Sequence, residues 1–411
     1  MSDEGGPFEG RKELTGQALV DEVLARNPTL AQMSAAWQAA LERIPQAKSW
    51  DDPMFIGGLA PASFGSRNIE SAYRVELSQK FYYPGKLRLK GQTARAEANA
   101  SRNDLEDVRL QLIEAARLAF FEYYLTDRAL NVNQEALRLL TEFRQNADAR
   151  FKAGQVPQQD LFQADVEIGR QKERQVILER MQKIAKARNN TLMHRPSTTP
   201  LPLPAQAAPQ WMALPDVETL QAKAVRSRPD LQALANRVSA EEAASALARR
   251  EFYPDVSVAG AYDTFMGNGP ARDMAAQIAV RIDLPVRLAR RHAAVNESLF
   301  KIAQKRAELA SRTDQVNYQV QEAYEQLLES EKILQLYDRS ILPAAKANIG
   351  AAQDAYRTGK VPFLSLIEAQ RNYVNLKDRY FEATADFFRR RANLNRATGA
   401  SVAGPAPMTK E

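Results

Sequence analysis

His194 and His292 are the only imidazoles among 411 residues, and no cysteine accompanies them. A transition-metal centre needs three or four nitrogen, sulfur or carboxylate ligands brought together. Here His194 follows Met193, and His292 closes the basic run of Arg287, Arg290 and Arg291, with no second ligand near either. No metal site is expected. The lack of thiols removes disulfides, thiolate catalysis, Cys-rich zinc sites and a lipid-bearing Cys from these residues. Nor does a nucleophile stand beside a histidine, and no Gly-rich phosphate loop is present. The sequence reads as that of a protein that is not an enzyme and holds no cofactor, so any function must come from its architecture.

The elements of that architecture are long. Glycine accounts for 18 of 411 residues, about 4% against the usual ~7%, which favours uninterrupted helices. Hydrophobic residues make up 45%, enough for a substantial core. The 56 Lys+Arg nearly balance 50 Asp+Glu, and the resulting +6 is spread over an evenly charged surface. A nucleic-acid partner would require basic residues gathered in one patch, so none is expected. Residues 1–7 are acidic and Gly-rich rather than basic and then apolar, and do not read as a signal peptide. No apolar run approaches the ~20 residues of a spanning helix, so any membrane crossing would have to use strands.

The chain carries one plan twice. Arg26-Asn-Pro28-Thr-Leu30 recurs as Ser227-Arg-Pro229-Asp-Leu231, and Tyr83-Pro84-Gly85 as Leu284-Pro285-Val286, in both cases 201 residues later. Arg150-Phe-Lys-Ala-Gly154-Gln-Val156-Pro157 returns as Tyr356-Arg-Thr-Gly359-Lys-Val361-Pro362, now 205 residues on, an insertion close to one helical turn. Between the copies, prolines at 196, 200, 202, 204, 209 and 215 mark an extended linker. The expected organisation is a disordered segment 1–15, a first repeat 16–195, a Pro-rich linker 196–215, a second repeat 216–399 and a disordered tail 400–411. Each repeat reads helix, two strands, very long helix, sharp turn, helix.

Residues 92–153 contain neither Gly nor Pro, a rod of about 90 Å at ~1.5 Å per residue. The second rod starts near 286, and Pro343 is expected to kink it rather than end it, because apolar periodicity resumes beyond. Val316, Val320, Ala323, Leu327, Leu334, Tyr337 and Ile341 trace a heptad seam, with Ser330 in the skipped position. The first rod has two stripes, Leu105, Val108, Leu112, Ala115 and Ala119, and beside them Ile113, Ala116, Phe120 and Tyr123. Two stripes suit a helix with a neighbour on each side, as in a closed ring; they also suit a bundle helix with a wide apolar face.

Residues 71–81 alternate, with Tyr73, Val75, Leu77 and Phe81 against Ala72, Arg74, Glu76, Ser78 and Lys80. In the second copy Met274, Ala276, Ile278, Val280, Ile282 and Leu284 alternate with Ala275, Gln277, Ala279, Arg281 and Asp283. About ten residues with one apolar and one wettable face match a bilayer-crossing strand. Partner strands are expected at 53–59 and 254–262, joined by loops around Gly65-Ser-Arg-Asn68 and Gly267-Asn-Gly-Pro270. Four strands cannot close a barrel, whereas three chains would supply twelve. The other reading is a soluble, long coiled-coil scaffold whose hairpins form a cap. Tyr82, Tyr83, Phe252 and Tyr253 bracket the strand ends, either as an interfacial girdle or as packing at the strand-to-helix joint.

The order and double occurrence of these features resemble the TolC-like outer-membrane efflux family across residues 16–399. The Asp52-Pro53-Met54 strand start and the Tyr83-Pro84-Gly85-Lys86-Leu87 helix start look most like its metal-cation efflux branch. The resemblance implies a mainly α fold with a small β part. A long antiparallel α-helical barrel would extend into the bacterial periplasm, and four β-strands per chain would complete a 12-stranded trimeric β-barrel in outer-membrane lipid. It implies a homotrimeric passive conduit docking on a periplasmic adaptor protein and an inner-membrane pump, with metal cations as the favoured cargo. Adaptor contacts would fall on the tip turns Gly154, Gln155, Val156, Pro157 and Gly359, Lys360, Val361, Pro362. The two glycines keep the family pattern, while Gln155 and Lys360 depart from its frequent Val-Gly-Leu. Some members carry two acids three apart at the narrowest ring; those positions here are Ser365 and Glu368, so one acid is missing. Three copies of Glu368 about a threefold axis would form a negative collar that favours cations. Asp160, after the first turn, would pair with Lys360 or another tip cation to hold the tip shut. Both acids also suit solvated positions near helix N-termini, where the dipole favours negative charge.

Overall fold

The computed structural model describes residues 8, 12–59, 73–209, 211, 214–264 and 275–399. The loops expected around Gly65 and Gly267, the tail 400–411 and most of the segment 1–15 lie outside the described residues. Strand β1 (Glu13–Leu14) leads into α1 (Gly16–Arg26), which Thr15 caps by accepting from the Ala18 amide at 3.2 Å. Then come α2 (Pro28–Lys48), β2 (Met54–Leu59), β3 (Tyr73–Phe81), the 67-residue α3 (Lys86–Lys152) and α4 (Gln159–Leu192). After β4 (Leu203–Pro204) a like order follows: α5 (Val217–Ser227), α6 (Pro229–Arg250), β5 (Val256–Thr264), β6 (Ala275–Ile282), α7 (Leu288–Leu336), α8 (Leu342–Arg357) and α9 (Phe363–Ala397). Pro28 and Pro229, which match in the sequence repeat, each open a helix, where a missing N–H leaves no bond unmade.

Between α7 and α8, Tyr337–Ile341 form a π-helical turn. Pro343 supplies the reason. In an unbroken α-helix its ring would strike the carbonyl of Arg339 and leave that oxygen without a donor. The wider turn takes up the mismatch, and the helix runs through it directly into α8.

The chain divides into two compact units, one of Met1–Gln32, Glu106–Arg228 and Asp314–Glu411, the other of Met33–Leu105 and Pro229–Thr313. In the first, Leu19, Val20 and Val23 of α1 pack with Ala116, Phe120 and Tyr123 of α3, Ala185 of α4 and Ala385 of α9. The α7 seam is buried at Val316, Val320, Ala323, Leu327 and Leu334. Ser330 is buried with them, its hydroxyl turned back onto the Leu327 carbonyl at 2.8 Å. Glu13 and Leu14, assigned from sequence to the disordered leader, pair in parallel with Leu203 and Pro204 of the linker. Leu14 is fully buried and its carbonyl accepts from the Ala205 amide at 2.8 Å. The linker is itself held where the Tyr123 hydroxyl donates to the Pro202 carbonyl at 3.1 Å.

The second unit holds an antiparallel sheet in the order β2-β3-β5-β6. One row sets Leu77 opposite Gly260 and Gly260 opposite Ile278; the next sets Glu76 opposite Ala261 and Ala261 opposite Gln277. The alternation read from sequence thus becomes two faces. Leu77, Val258, Ile278 and Val280 stay exposed on one. On the other, Glu76 is buried against Arg74 at 2.9 Å and Arg281 at 3.6 Å. A hairpin cap on a soluble bundle would cover its apolar face; this sheet leaves that face open. Among the described residues no helix is long and apolar enough to cross a membrane.

Lys86 at the start of α3 is buried, donating to Asp255 at 2.9 Å, Glu251 at 3.2 Å and the Tyr253 carbonyl at 3.1 Å. The Tyr83 amide also donates to Asp255, at 2.9 Å, and its ring stacks on Tyr253 at 4.4 Å. The Tyr82 hydroxyl donates to Asp51 at 2.7 Å, and Phe252 meets His292 edge-on. The aromatics that bracket the strands therefore pack at the strand-to-helix joint, with Tyr253 still 47% exposed.

Candidate functional site

Two sharp turns, between α3 and α4 and between α8 and α9, are built alike. Gly154 has φ +70°; its amide donates to the Phe151 carbonyl at 2.8 Å, and the Gln155 amide reaches back to the Arg150 carbonyl at 2.9 Å. Gly359 has φ +72°; its amide donates to Tyr356 at 3.0 Å, and that of Lys360 to Ala355 at 2.8 Å. This crossed pair of bonds around a left-handed residue is the Schellman motif, which satisfies the last helical carbonyls while turning the chain. A side chain at such φ costs roughly 1–2 kcal/mol, hence glycine at both positions. Pro157 and Pro362 stand just before the return helices, their carbonyls accepting from the Asp160 and Ser365 amides at 3.2 and 3.1 Å.

Next to the turns, Leu140, Phe143, Ala147, Ala164, Tyr356, Phe363, Leu366 and Ile367 form one apolar cluster, with Val361 packed against it. Arg150 crosses from one turn to the other. Its guanidinium donates to the Tyr356 carbonyl and lies 4.9 Å from the centre of the Tyr356 ring, and its Nε donates to Gln155 Oε1 at 3.4 Å. Tyr356 is buried edge-on to Phe363, and its hydroxyl donates to Asp160 Oδ2 at 3.4 Å. Burial pushes the Tyr356 phenol up to about 12, the Asp160 charge adding to the effect and Arg150 opposing it. Burial also raises the Asp160 carboxyl above its ordinary value, against the Tyr356 hydrogen bond and Arg150. Within the protomer Asp160 is thus partnered by Tyr356, with Arg150 as the neighbouring cation, while Lys360 is exposed.

Glu368 is exposed on α9 and Ser365 half-buried one turn before it. The charge of Glu368 acts on Arg371, whose chief partner is Glu167 of α4. Arg371 Nε donates to Glu167 Oε2 at 2.9 Å, its terminal nitrogen to Oε1, and Arg170 adds a bond at 3.0 Å. The Arg371 hydrogen bond is the largest influence holding the buried Glu167 carboxyl below the usual glutamate value. Further along the same two helices Arg174 pairs with Asp378. None of these pairs was singled out in the sequence. A signal for them was present, since both join positions 204 apart, close to the repeat offset, with opposite charges in the two copies. Among the described residues no three His, Cys, Asp or Glu side chains are grouped to hold a metal ion.

The sequence profile of the outer membrane efflux protein family matches residues 19–192 and 220–400. The chain matches no curated protein by sequence. Among solved structures, the outer-membrane channel OprN superposes with a TM-score of 0.77 at 20% identity, over 94% of this chain and 90% of that one. CusC, described in terms of conformational changes that accompany folding and transmembrane channel formation, gives 0.79 at 16% identity over 94% and 92%. The outer membrane protein VceC from Vibrio cholerae gives 0.77 at 16% identity over 94% and 96%. At these identities the likeness establishes a shared fold.

Proposed function

This chain belongs to the outer membrane efflux protein family, and from that premise we propose that three copies form a passive conduit through the bacterial outer membrane. The observation that carries the proposal is the sheet, with one exposed apolar face and two open edges, β2 and β6. In lipid every unpaired backbone group costs several kcal/mol, so both edges need partners. Each strand runs antiparallel to its neighbour, so β6 of one copy meets β2 of the next in antiparallel sense. Three copies then close twelve strands. The repeats 16–195 and 216–399 contribute alternating helical hairpins to a tunnel that reaches into the periplasm. Its far end is formed by the turns at Gly154 and Gly359, which dock on a periplasmic adaptor and, through it, an inner-membrane pump. Glu368, Ser365 and Asp160 line the constriction, and the exposed Glu368 suits the passage of metal cations. The protein purified in detergent should run as a trimer and conduct ions in planar bilayers. A stable monomer in detergent-free buffer would overturn this reading.

A further inference from the structure

We propose that Asp52 of one copy pairs with Arg287 and Arg290 of the next, latching the seam between copies where strands give way to helices. The inference rests on the trimeric reading above. Most charges at this joint are already engaged within the protomer: Asp51 by Tyr82, Glu251 and Asp255 by Lys86, Asp283 by Lys80 at 3.9 Å, and Arg291 by the Glu251 carbonyl at 2.7 Å. Asp52, Arg287 and Arg290 are exposed and have no partner among the described residues. Asp52 stands two residues before β2, and Arg287 and Arg290 follow β6 by five and eight residues, so unlike charges lie beyond the two open edges at the same end of the sheet. Arg287 directly precedes α7 and Arg290 lies in its first turn, which holds no acid; the helix dipole disfavours cations there, and a carboxylate from outside would offset it.

Strand stagger brings the two groups together. Strands of a closed barrel are displaced from one to the next, and the displacement is readable inside one copy. The 201-residue repeat makes Asp255 the counterpart of Met54, yet the ladder carries Met54 through Ser78 to Ala259, four residues farther from the helices. Continued in the same sense from β5 to the next copy's β2, it sets that Asp52 alongside residues 287–290. The same contact covers apolar side chains: Met54 and Phe55, 59% and 68% exposed, follow Asp52, and Leu284 and Val286, 69% and 76% exposed, precede the arginines.

Because the chain has no cysteine, disulfide trapping is clean. The Asp52→Cys/Arg287→Cys and Asp52→Cys/Arg290→Cys proteins, oxidised in detergent, should give covalent dimers and trimers for at least one pair, since a disulfide needs Cα atoms within about 7 Å. Asp52→Arg should raise the concentration at which trimers dissociate by about tenfold, and so should Arg287→Asp/Arg290→Asp; combining them should restore wild-type behaviour to within about twofold. A trimeric wild type with neither cross-link, and with reversals that add instead of compensating, overturns the latch. Arginine reversals that act only through acidic-lipid vesicles, whatever stands at position 52, also overturn it, in favour of headgroup binding. A wild type that is itself monomeric overturns the trimeric reading instead.

Discussion

Arg150→Ala should loosen the join between the two turns without unfolding the helices that lead to them. The guanidinium donates to the Tyr356 carbonyl, which already accepts from the Gly359 amide, and it lies over the Tyr356 ring. A hydrogen bond from a charged donor contributes about 1.5–3 kcal/mol, and a partly exposed cation–π contact about 0.5–1 kcal/mol. Freeing a long side chain returns up to about 2 kcal/mol of rotamer entropy. Because Arg150 is only half-buried, about 1 kcal/mol of that is returned, the net loss is about 1–3 kcal/mol, and at 1.4 kcal/mol per tenfold the open population should rise about 5- to 140-fold. Amide hydrogen exchange reads this directly, because the Gly154, Gln155, Gly359 and Lys360 amides bond within the turns and exchange through local opening. Those four amides should exchange faster by that factor, with mid-helix amides of α3 and α9 unchanged. Arg150→Lys keeps the charge but loses the planar fork, and should fall between. Exchange within about twofold of wild type, or faster by one factor throughout the chain, would refute the assignment of Arg150 as the tie.

Lys86→Met leaves Asp255 and Glu251 without their buried cation, and breaking one partner of such a group costs about 3–5 kcal/mol; denaturant unfolding in detergent should show it, and Asp255→Asn in the same protein should recover part. Asp160 is held above its ordinary value by burial, so its charged form is the disfavoured one in the folded protein. Stability is therefore gained as pH falls through its titration, the turn amides should become better protected once intrinsic exchange is corrected, and Asp160→Asn should reproduce that protection at neutral pH. Gly154→Val and Gly359→Val each force a β-branched residue to positive φ, at about 1–2 kcal/mol or more, and export measured in cells should drop for both; undiminished export would remove the tip assignment. Glu368→Ala should lower the cation-to-anion permeability ratio in single-channel recordings, and an unchanged ratio would remove the collar.

Much of this fold was legible in the sequence because it depends on local properties. A Gly- and Pro-free stretch propagates as helix, strict alternation makes a two-faced strand, and Gly-Xaa-Val-Pro encodes a left-handed stop followed by a helix start within four residues. Duplication multiplied each signal, so the order of elements could be read twice. The seam on α7 was likewise readable, since 3.5-residue spacing puts Val316, Val320 and Leu327 on one line whatever they pack against. Pro343 announced an irregularity, but its form as a π-turn over Tyr337–Ile341 depended on how the helix resumed.

Partners distant along the chain were decided only by the tertiary structure. Arg150 was visible in the repeated motif, yet nothing local directed it to Tyr356 rather than to an acid, and Asp160, for which charge suggested Lys360 or another tip cation, meets the Tyr356 hydroxyl with Arg150 nearby. The same holds for Glu167 with Arg371 and for Lys86 with Asp255, groups 204 and 169 residues apart. A position's charge, size and helical phase are properties of a few neighbouring residues. Which opposite charge it meets follows from helix crossings and sheet register, and these are set by the packing of every side chain at once.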